Sequence, residues 1–402
     1  MLQDEPDADT VNALAALANV DAFAGNATEA IEELDAALAQ AQALGLPDEI
    51  LAVLFTIGGL SQQVASRPAQ ATASFREAVL RAEAAGKSSE AATAYLNLGD
   101  SLVTTDPGAA VEASRAAISL SRRIGHRYAM GVAQANLIQA LLLTGDWIEA
   151  DQVYTRGVTE DGHADDPALA FSAAILFALR GDEARLSAAM AIVDNFAGSE
   201  DTQDIAEHAT AMAAAAALDG SHERALSHAR VSLAQAGAVN LRHDAIRWVW
   251  PIAADAALAL EDDAEVLRLL DWLDDHPPGH IPPVLRAERL RVRARLHERR
   301  GEAEAGPAFA TATKAFRDLG SPFHLSTALL DHAQHVSSHG DLETAAELAA
   351  EAGVIAERLL VTPLMQRVEQ LGGLGGAQPA HPVHVKDANA SSAMDPQAIS
   401  AG

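Results

Sequence analysis

The sequence predicts an all-α fold, a right-handed α-solenoid of about nine helical hairpins closed by a C-terminal capping helix. Three observations predict it. Apolar residues make up 49% of the chain but aromatics only 4%, so most of the apolar content is Ala and Leu. Those are the strongest helix formers, whereas strands favour β-branched and aromatic residues. A Gly followed by a short polar residue, with an Ala four positions further on, recurs at Gly25-Asn26…Ala30, Gly145-Asp146…Ala150, Gly220-Ser221…Ala225 and Gly340-Asp341…Ala345. The Gly-to-Gly spacings are 120, 75 and 120 residues, or three, two and three units of about 39, and a fixed period of that size marks a solenoid.

Each unit is a first helix, a turn, a second helix and a closing break. The turn Gly ends the first helix by taking φ > 0, and the polar residue after it caps the second by accepting from an orphan N–H. Unit one spans 9–24 and 27–43 around Gly25-Asn26 and closes at Gly45-Leu46-Pro47. Unit two, 48–64 and 68–84, turns at Arg67-Pro68 and closes at Gly86; unit three, 88–104 and 107–122, turns at Asp106-Pro107 and closes at Gly125. Both prolines sit in a first helical turn, where no N–H is missed. Units four (126–143, 146–157), five (167–179, 182–196) and six (201–218, 221–236) turn at Gly145, Gly181 and Gly220, and Gly237 closes the sixth. Unit seven, 241–260 and 263–275, turns at Glu261-Asp262. Unit eight, 282–299 and 304–318, turns at Gly301-Glu302 and closes at Gly320-Ser321-Pro322. Unit nine, 322–338 and 341–359, turns at Gly340-Asp341, and a helix over 363–371 caps the array. Along the second helices small residues recur at i, i+4, i+7, as in Ala225, Ala229, Ser232 and Ala345, Ala349, Ala352; one such stripe lets paired helices approach closely. Residues 1–371 therefore read as the solenoid. Residues 372–402, rich in Gly, Ala, Ser and Pro with no apolar period, read as a disordered tail.

Charge limits the partners. Lys plus Arg is 28 and Asp plus Glu is 56, a net −28, which repels phosphates and anionic lipid, so neither nucleic acid nor membrane is an expected partner. There is no cysteine, so disulfides, zinc thiolates and thiol catalysis are excluded. The first ten residues carry four acids and no base, unlike a secretory signal, and the uncharged runs 50–66 and 128–145 are broken by Gln, Gly, Thr or Asn. A cytoplasmic protein is expected. Catalytic motifs fail on inspection. Gly86-Lys87-Ser88 ends like a P-loop, but Arg81 stands where the first Gly is needed. His297-Glu298 opens a zincin motif whose second His would be Gly301, and the glycines at 372–376 lack dinucleotide spacing. No enzyme activity and no cofactor are expected.

Tyr95, Leu98, Gly99 and Leu102 match the first-helix pattern of a tetratricopeptide repeat, and Leu14, Leu17, Ala18, Ala30, Leu34 and Ala37 keep its register. The chain thus resembles the tetratricopeptide-repeat (TPR) family, although its period exceeds 34 residues and the closing Pro is mostly missing. The segment from Ala315-Phe316-Arg317-Asp318-Leu319-Gly320-Ser321-Pro322-Phe323 through Thr362-Pro363-Leu364 is similar to the C-terminal repeat region of actinobacterial signalling ATPase, nucleotidyl-cyclase and LuxR-type regulators. The first resemblance implies a non-catalytic scaffold holding a protein or peptide in a concave groove lined by first helices. The second implies a detached sensor arm acting with a separately encoded ATPase or cyclase and answering a small-molecule or protein inducer.

Two side-chain sets stand out. Arg286, Arg289, Arg293 and Arg300 fall on one arc of the eighth unit's first helix. Either neighbouring acids such as Asp263, Asp271 and Asp274 neutralise them, or they bind an acidic partner in the groove with Arg247 and His243 extending the patch and Trp248 or Trp250 as an apolar anchor. His324, His332, His335 and His339 share an arc of the ninth unit's first helix, which fits a polar flank or a shared metal. The four Trp, with Phe171, Phe177 and Phe196, are expected in the core.

Overall fold

The computed structural model describes residues 7–63 and 67–375, and among them there is no strand. Nine hairpins follow in order. They are α1 (Ala8–Asp21) with α2 (Ala27–Leu44), α3 (Pro47–Gln63) with α4 (Pro68–Ala84), and α5 (Ser88–Leu102) with α6 (Pro107–Ile124). Next come α7 (Arg127–Thr144) with α8 (Trp147–Thr159), α9 (Pro167–Arg180) with α10 (Glu183–Val193), and α11 (Thr202–Leu218) with α12 (His222–Leu233). After a one-turn helix, α13 (Ala236–Val239), follow α14 (Asp244–Ala259) with α15 (Asp263–Asp274), α16 (Pro283–Arg299) with α17 (Ala305–Leu319), and α18 (Pro322–Ser338) with α19 (Leu342–Leu359). The cap α20 (Thr362–Gly375) ends the array. It runs four residues past the expected boundary at 371; the rest of the expected tail lies outside the described residues.

The turn chemistry is realised unevenly. Asp106, Asp182, Asp262 and Asp341 accept from the backbone N–H three residues on at 3.0–3.2 Å, which satisfies one orphan donor each. Asn26 and Ser221 make no such bond, and Asp146 instead accepts from the Thr144 hydroxyl at 3.1 Å. The first turn is π-helical over Ala22–Asn26. Gly237 does not close unit six, because it lies inside α13; Asn240, at φ 66°, makes that break. Glu261, at φ 58°, adopts the left-handed conformation in the place where other units use Gly.

The inner surface is not an open trough along its length. The first helix of unit four, α7, meets the first helices of units seven and nine. Trp248 of α14 is buried, donates from Nε1 to the Gln139 Oε1 of α7 at 2.7 Å, and stacks on His324 of α18. Trp147 of α8 packs on Phe323 of α18, with ring centroids 5.4 Å apart. Next to this contact, the Arg180 Nε of α9 donates to the Leu359 carbonyl at the end of α19 at 3.1 Å, across 179 residues. Arg242, just before α14, donates to the Thr104 hydroxyl after α5 at 2.8 Å. As a result one continuous apolar core joins units one to five with Trp248, Leu329, Leu330, Leu359 and Leu364. The array folds back on itself, and the seam between its two arcs is packed.

Two turn glycines distinguish the seam from ordinary turn geometry. Gly145 (φ +86°) and Gly220 (φ +71°) both need the left-handed region, but a Cβ on Gly145 would lie 2.7 Å from the Pro322 ring, while one on Gly220 meets nothing within 4 Å. Gly220→Ala should cost about 1–2 kcal/mol from conformation alone. Gly145→Ala should cost roughly 1–3 kcal/mol more through overpacking and lower the thermal midpoint further. Equal losses in thermal unfolding would mean that Pro322 does not pack there.

Candidate functional site

The seam divides the inner surface into two polar regions. The first is built by α14, α16, α18 and α20, which lie side by side. Asp255, Arg295, Asp331 and Arg367 occur at spacings of 40, 36 and 36 residues, so each comes from a successive inner helix and the charge sign alternates. Arg295 reaches Asp255 at 2.6 Å and Arg367 reaches Asp331 at 2.7 Å. At the centre is Arg291, 1% exposed. Its guanidinium grips both Asp255 oxygens at 2.9 Å, Glu288 at 2.7 Å and Asp331 at 2.9 Å. Burial opposes its charge, but Asp255, Glu288 and Asp331 outweigh that and hold its pKa well above the usual arginine value. Burial likewise opposes ionisation of Asp331, yet Arg295, Arg291 and Arg367 hold its carboxyl well below the usual range. Glu288 is pushed up to about 7, chiefly by burial. Burial, with Arg291 and Arg247 nearby, drops His324 to about 3, so this imidazole is neutral. Beside the ladder is a cavity of about 240 Å³ lined by Arg295, Glu298, Asp331, Gln334 and Arg367.

The second region is a recess between units two and three on one side and six and seven on the other. Gln62 of α3 donates to Asp100 of α5. Crowding by the recess walls, with Asp244 opposite, pushes Asp100 up to about 6. Asp244 is paired with Arg247. Glu207 of α11 is buried, accepts from Gln203 at 3.1 Å and lies 3.7 Å from His243 Nε2. Burial, aided by Asp244, Asp204 and Asp166, pushes its carboxyl up to about 8. Burial also lowers His243, whose Nδ1 accepts from the Ala245 N–H and starts α14.

The residues singled out in the sequence fall in different places. Arg247 and His243 line the recess. Arg289 and Arg293 both pair with Asp274 of α15, Arg300 reaches Asp263 at 3.5 Å, and Arg286 donates to the Pro278 carbonyl at 3.2 Å. That arc of α16 faces the preceding hairpin, whose Asp274 and Asp263 pair with Arg289, Arg293 and Arg300, while Arg286 meets only a carbonyl. The expected anchor Trp250 is corrected: it is fully buried and donates to the Leu269 carbonyl at 3.2 Å, so it offers no surface to a partner. Trp147, Trp248, Phe171 and Phe177 are core as expected, while Phe196 and Trp272 are only partly buried. Among the described residues no group of three or more His, Asp or Glu is arranged to hold a metal. His332 and His335 instead pack on Phe309. The sequence pattern does not single out Arg291, Arg295, Asp331 and Arg367: counted back from the turns at Gly301 and Gly340, Arg295 and Asp331 stand 6 and 9 residues away, so only the packing of the inner helices brings them together.

Hairpin order, turn chemistry and inner-helix register define a TPR-like helical-repeat protein. No family model matches the chain, and no curated protein does so either. Solved structures do. An IFIT1 monomeric mutant with Gppp-AAAA is 12% identical over 90% of each chain, with a TM-score of 0.43. Yeast Tom70 is 14% identical over 91% of this chain and 82% of that one, at 0.39. The P58(IPK) TPR domain is 12% identical over 92% and 99%, at 0.24. No helix among the described residues is long and apolar enough to cross a membrane.

The raised carboxyls make stability depend on pH. Glu207 (about 8) and Glu288 (about 7) bind protons more tightly folded than unfolded. Their favourable contribution is complete below the unfolded value near 4.5 and is lost as pH rises through the folded values. Above about pH 7, where the neutral His324 and His243 no longer add stability with rising pH, the thermal midpoint should therefore fall towards pH 8.5. Glu207→Gln should flatten that fall and raise the midpoint at pH 8.5 by roughly 2 °C or more. An unchanged pH profile in this variant would refute the assignment.

Proposed function

We propose that the chain is a non-catalytic helical-repeat scaffold that binds a protein or peptide segment at the recess between units three and seven. The observation that carries this reading is the state of Asp100. Its carboxylate faces Asp244, which engages the nearby Arg247, and among the described residues no cation forms an ion pair with it. An acidic segment would have to displace Asp274 and Asp263 from the guanidiniums of α16, whereas a segment offering a Lys or Arg side chain meets an unpaired carboxylate. The net charge of −28 favours the same sign of partner over long range.

A second reading makes the chain a detached sensor arm of a signalling ATPase or nucleotidyl-cyclase system. The stretch that carries that resemblance supplies Pro322, Phe323 and Pro363 to the seam, against Gly145, Trp147 and Gly181. A partner or inducer engaging that stretch would act on the closure of the ring.

A peptide array read at pH 7.5 tests the scaffold reading. Bound peptides should be enriched in Lys and Arg, lose affinity in 0.5 M salt, and bind Asp100→Asn at least threefold more weakly. Affinity should also weaken as pH falls below about 6, where Asp100 takes up a proton. Binding indifferent to peptide charge and to Asp100→Asn would contradict it.

A further inference from the structure

We propose that the cavity between α16, α18 and α20 binds a small polar zwitterion of α-amino-acid size. The wall residues are Arg295 and Glu298 from α16, Asp331 and Gln334 from α18, and Arg367 from the cap. Each of the two arginines has spent little of its capacity. Arg295 gives NH1 to Asp255 and Arg367 gives NH2 to Asp331, and neither makes another hydrogen bond among the described residues. A guanidinium carries five N–H donors in a rigid fork, so most of the donors on both remain unspent. Both side chains keep about a third of their surface exposed (30% and 32%).

The acids behind them hold the forks in place. Asp331 is nearly buried and is tied on its other oxygen to Arg291, which is itself locked to Asp255 and Glu288. The cavity therefore presents two oriented guanidiniums whose unspent N–H donors a carboxylate can accept from. Its remaining wall has the opposite character. Glu298 accepts at Oε1 from His335 Nδ1 at 3.0 Å and keeps Oε2 for another donor, while the Gln334 amide makes no hydrogen bond among the described residues. An ammonium group suits Glu298. The space, about 240 Å³, lies below the range typical of drug-sized ligands, and its walls are charged or amide groups throughout. Both facts select a short or polar side chain on the ligand.

The site goes beyond the scaffold reading and is separate from the Asp100 recess, so failure of either leaves the other intact. The test uses the whole chain. Isothermal titration and thermal shift would be run with glycine, L-serine, L-glutamine and L-glutamate, and with acetate, methylammonium and inorganic phosphate as single-function probes. At least one amino acid should bind with a Kd below 1 mM and raise the thermal midpoint, while acetate and methylammonium bind at least tenfold more weakly. Arg367→Gln and Glu298→Gln should each weaken the amino acid at least tenfold. Arg367→Lys, which keeps the charge but loses the fork, should weaken it as well and serves if Arg367→Gln does not fold; Asp100→Asn should leave it unchanged. The proposal is overturned if no amino acid binds, if phosphate or acetate binds as well as the amino acids, or if the amino acid binds the Arg367 and Glu298 variants like the wild type.

Discussion

A solenoid unit touches only its neighbours, so the two halves of a nine-unit array have no inherent reason to meet. Here they do, through the buried Trp248 indole. Its N–H is satisfied by Gln139 of α7, and its ring lies against the neutral His324 of α18. That contact needs three helices from units four, seven and nine at one point, which fixes the curvature of everything between them. A Trp N–H buried without a partner would cost about 1–3 kcal/mol, so the Gln139 oxygen is as much a constraint on the seam as the packing is. Trp147 on Phe323 and Arg180 on the Leu359 carbonyl extend the seam to the cap. Apolar burial in an Ala-rich array is modest per residue, and the seam adds large aromatic contacts that a linear stack of the same hairpins would lack.

Closure also explains the charges on the inner face. Once the inner surface is enclosed, groups that would be hydrated in an open groove must find partners within the protein. Units seven to nine solve this with alternating signs: Asp255, Arg291 and Arg295, Asp331, Arg367. Buried ion pairs are a weak source of stability, because desolvation offsets attraction, but removing one member is costly. Their effect is to specify the register of α14, α16, α18 and α20 relative to one another. The recess at units three and seven is less complete. Glu207 has an amide and a distant imidazole in place of a cation, and Asp100 has an amide alone. The raised carboxyls are the electrostatic consequence.

Most of the hairpins were legible in the sequence because their signals are local. A left-handed Gly, an Asp cap and a first-turn Pro each act within one turn of chain, and α16 over Pro283–Arg299 differs from its expected span by one residue. Where the local code is loose the pattern misleads: Gly237 predicts a break and is helical, while Asn240 and Glu261 do the work of Gly. The seam was not legible, since Gly145 and Pro322 are ordinary turn residues in sequence and become contacts only in three dimensions. The same limit governed the candidate site. Helix α16 carries two arginine sets on different faces, and composition does not say which one turns inward. The set with the cleaner arc, Arg289 and Arg293, pairs with Asp274, whereas Arg291 and Arg295 enter the ladder.

The ring-like closure is the claim from which the seam, the ladder and both polar regions follow. The chain has no cysteine, so Ile148→Cys on α8 and Val354→Cys on α19, both at exposed positions, can be spin-labelled without background. Pulsed dipolar spectroscopy on that double variant measures the separation of the two arcs directly. A single narrow distance distribution, unchanged by dilution, is the result that closure predicts. A broad distribution extending to the long separations of an open array would contradict it.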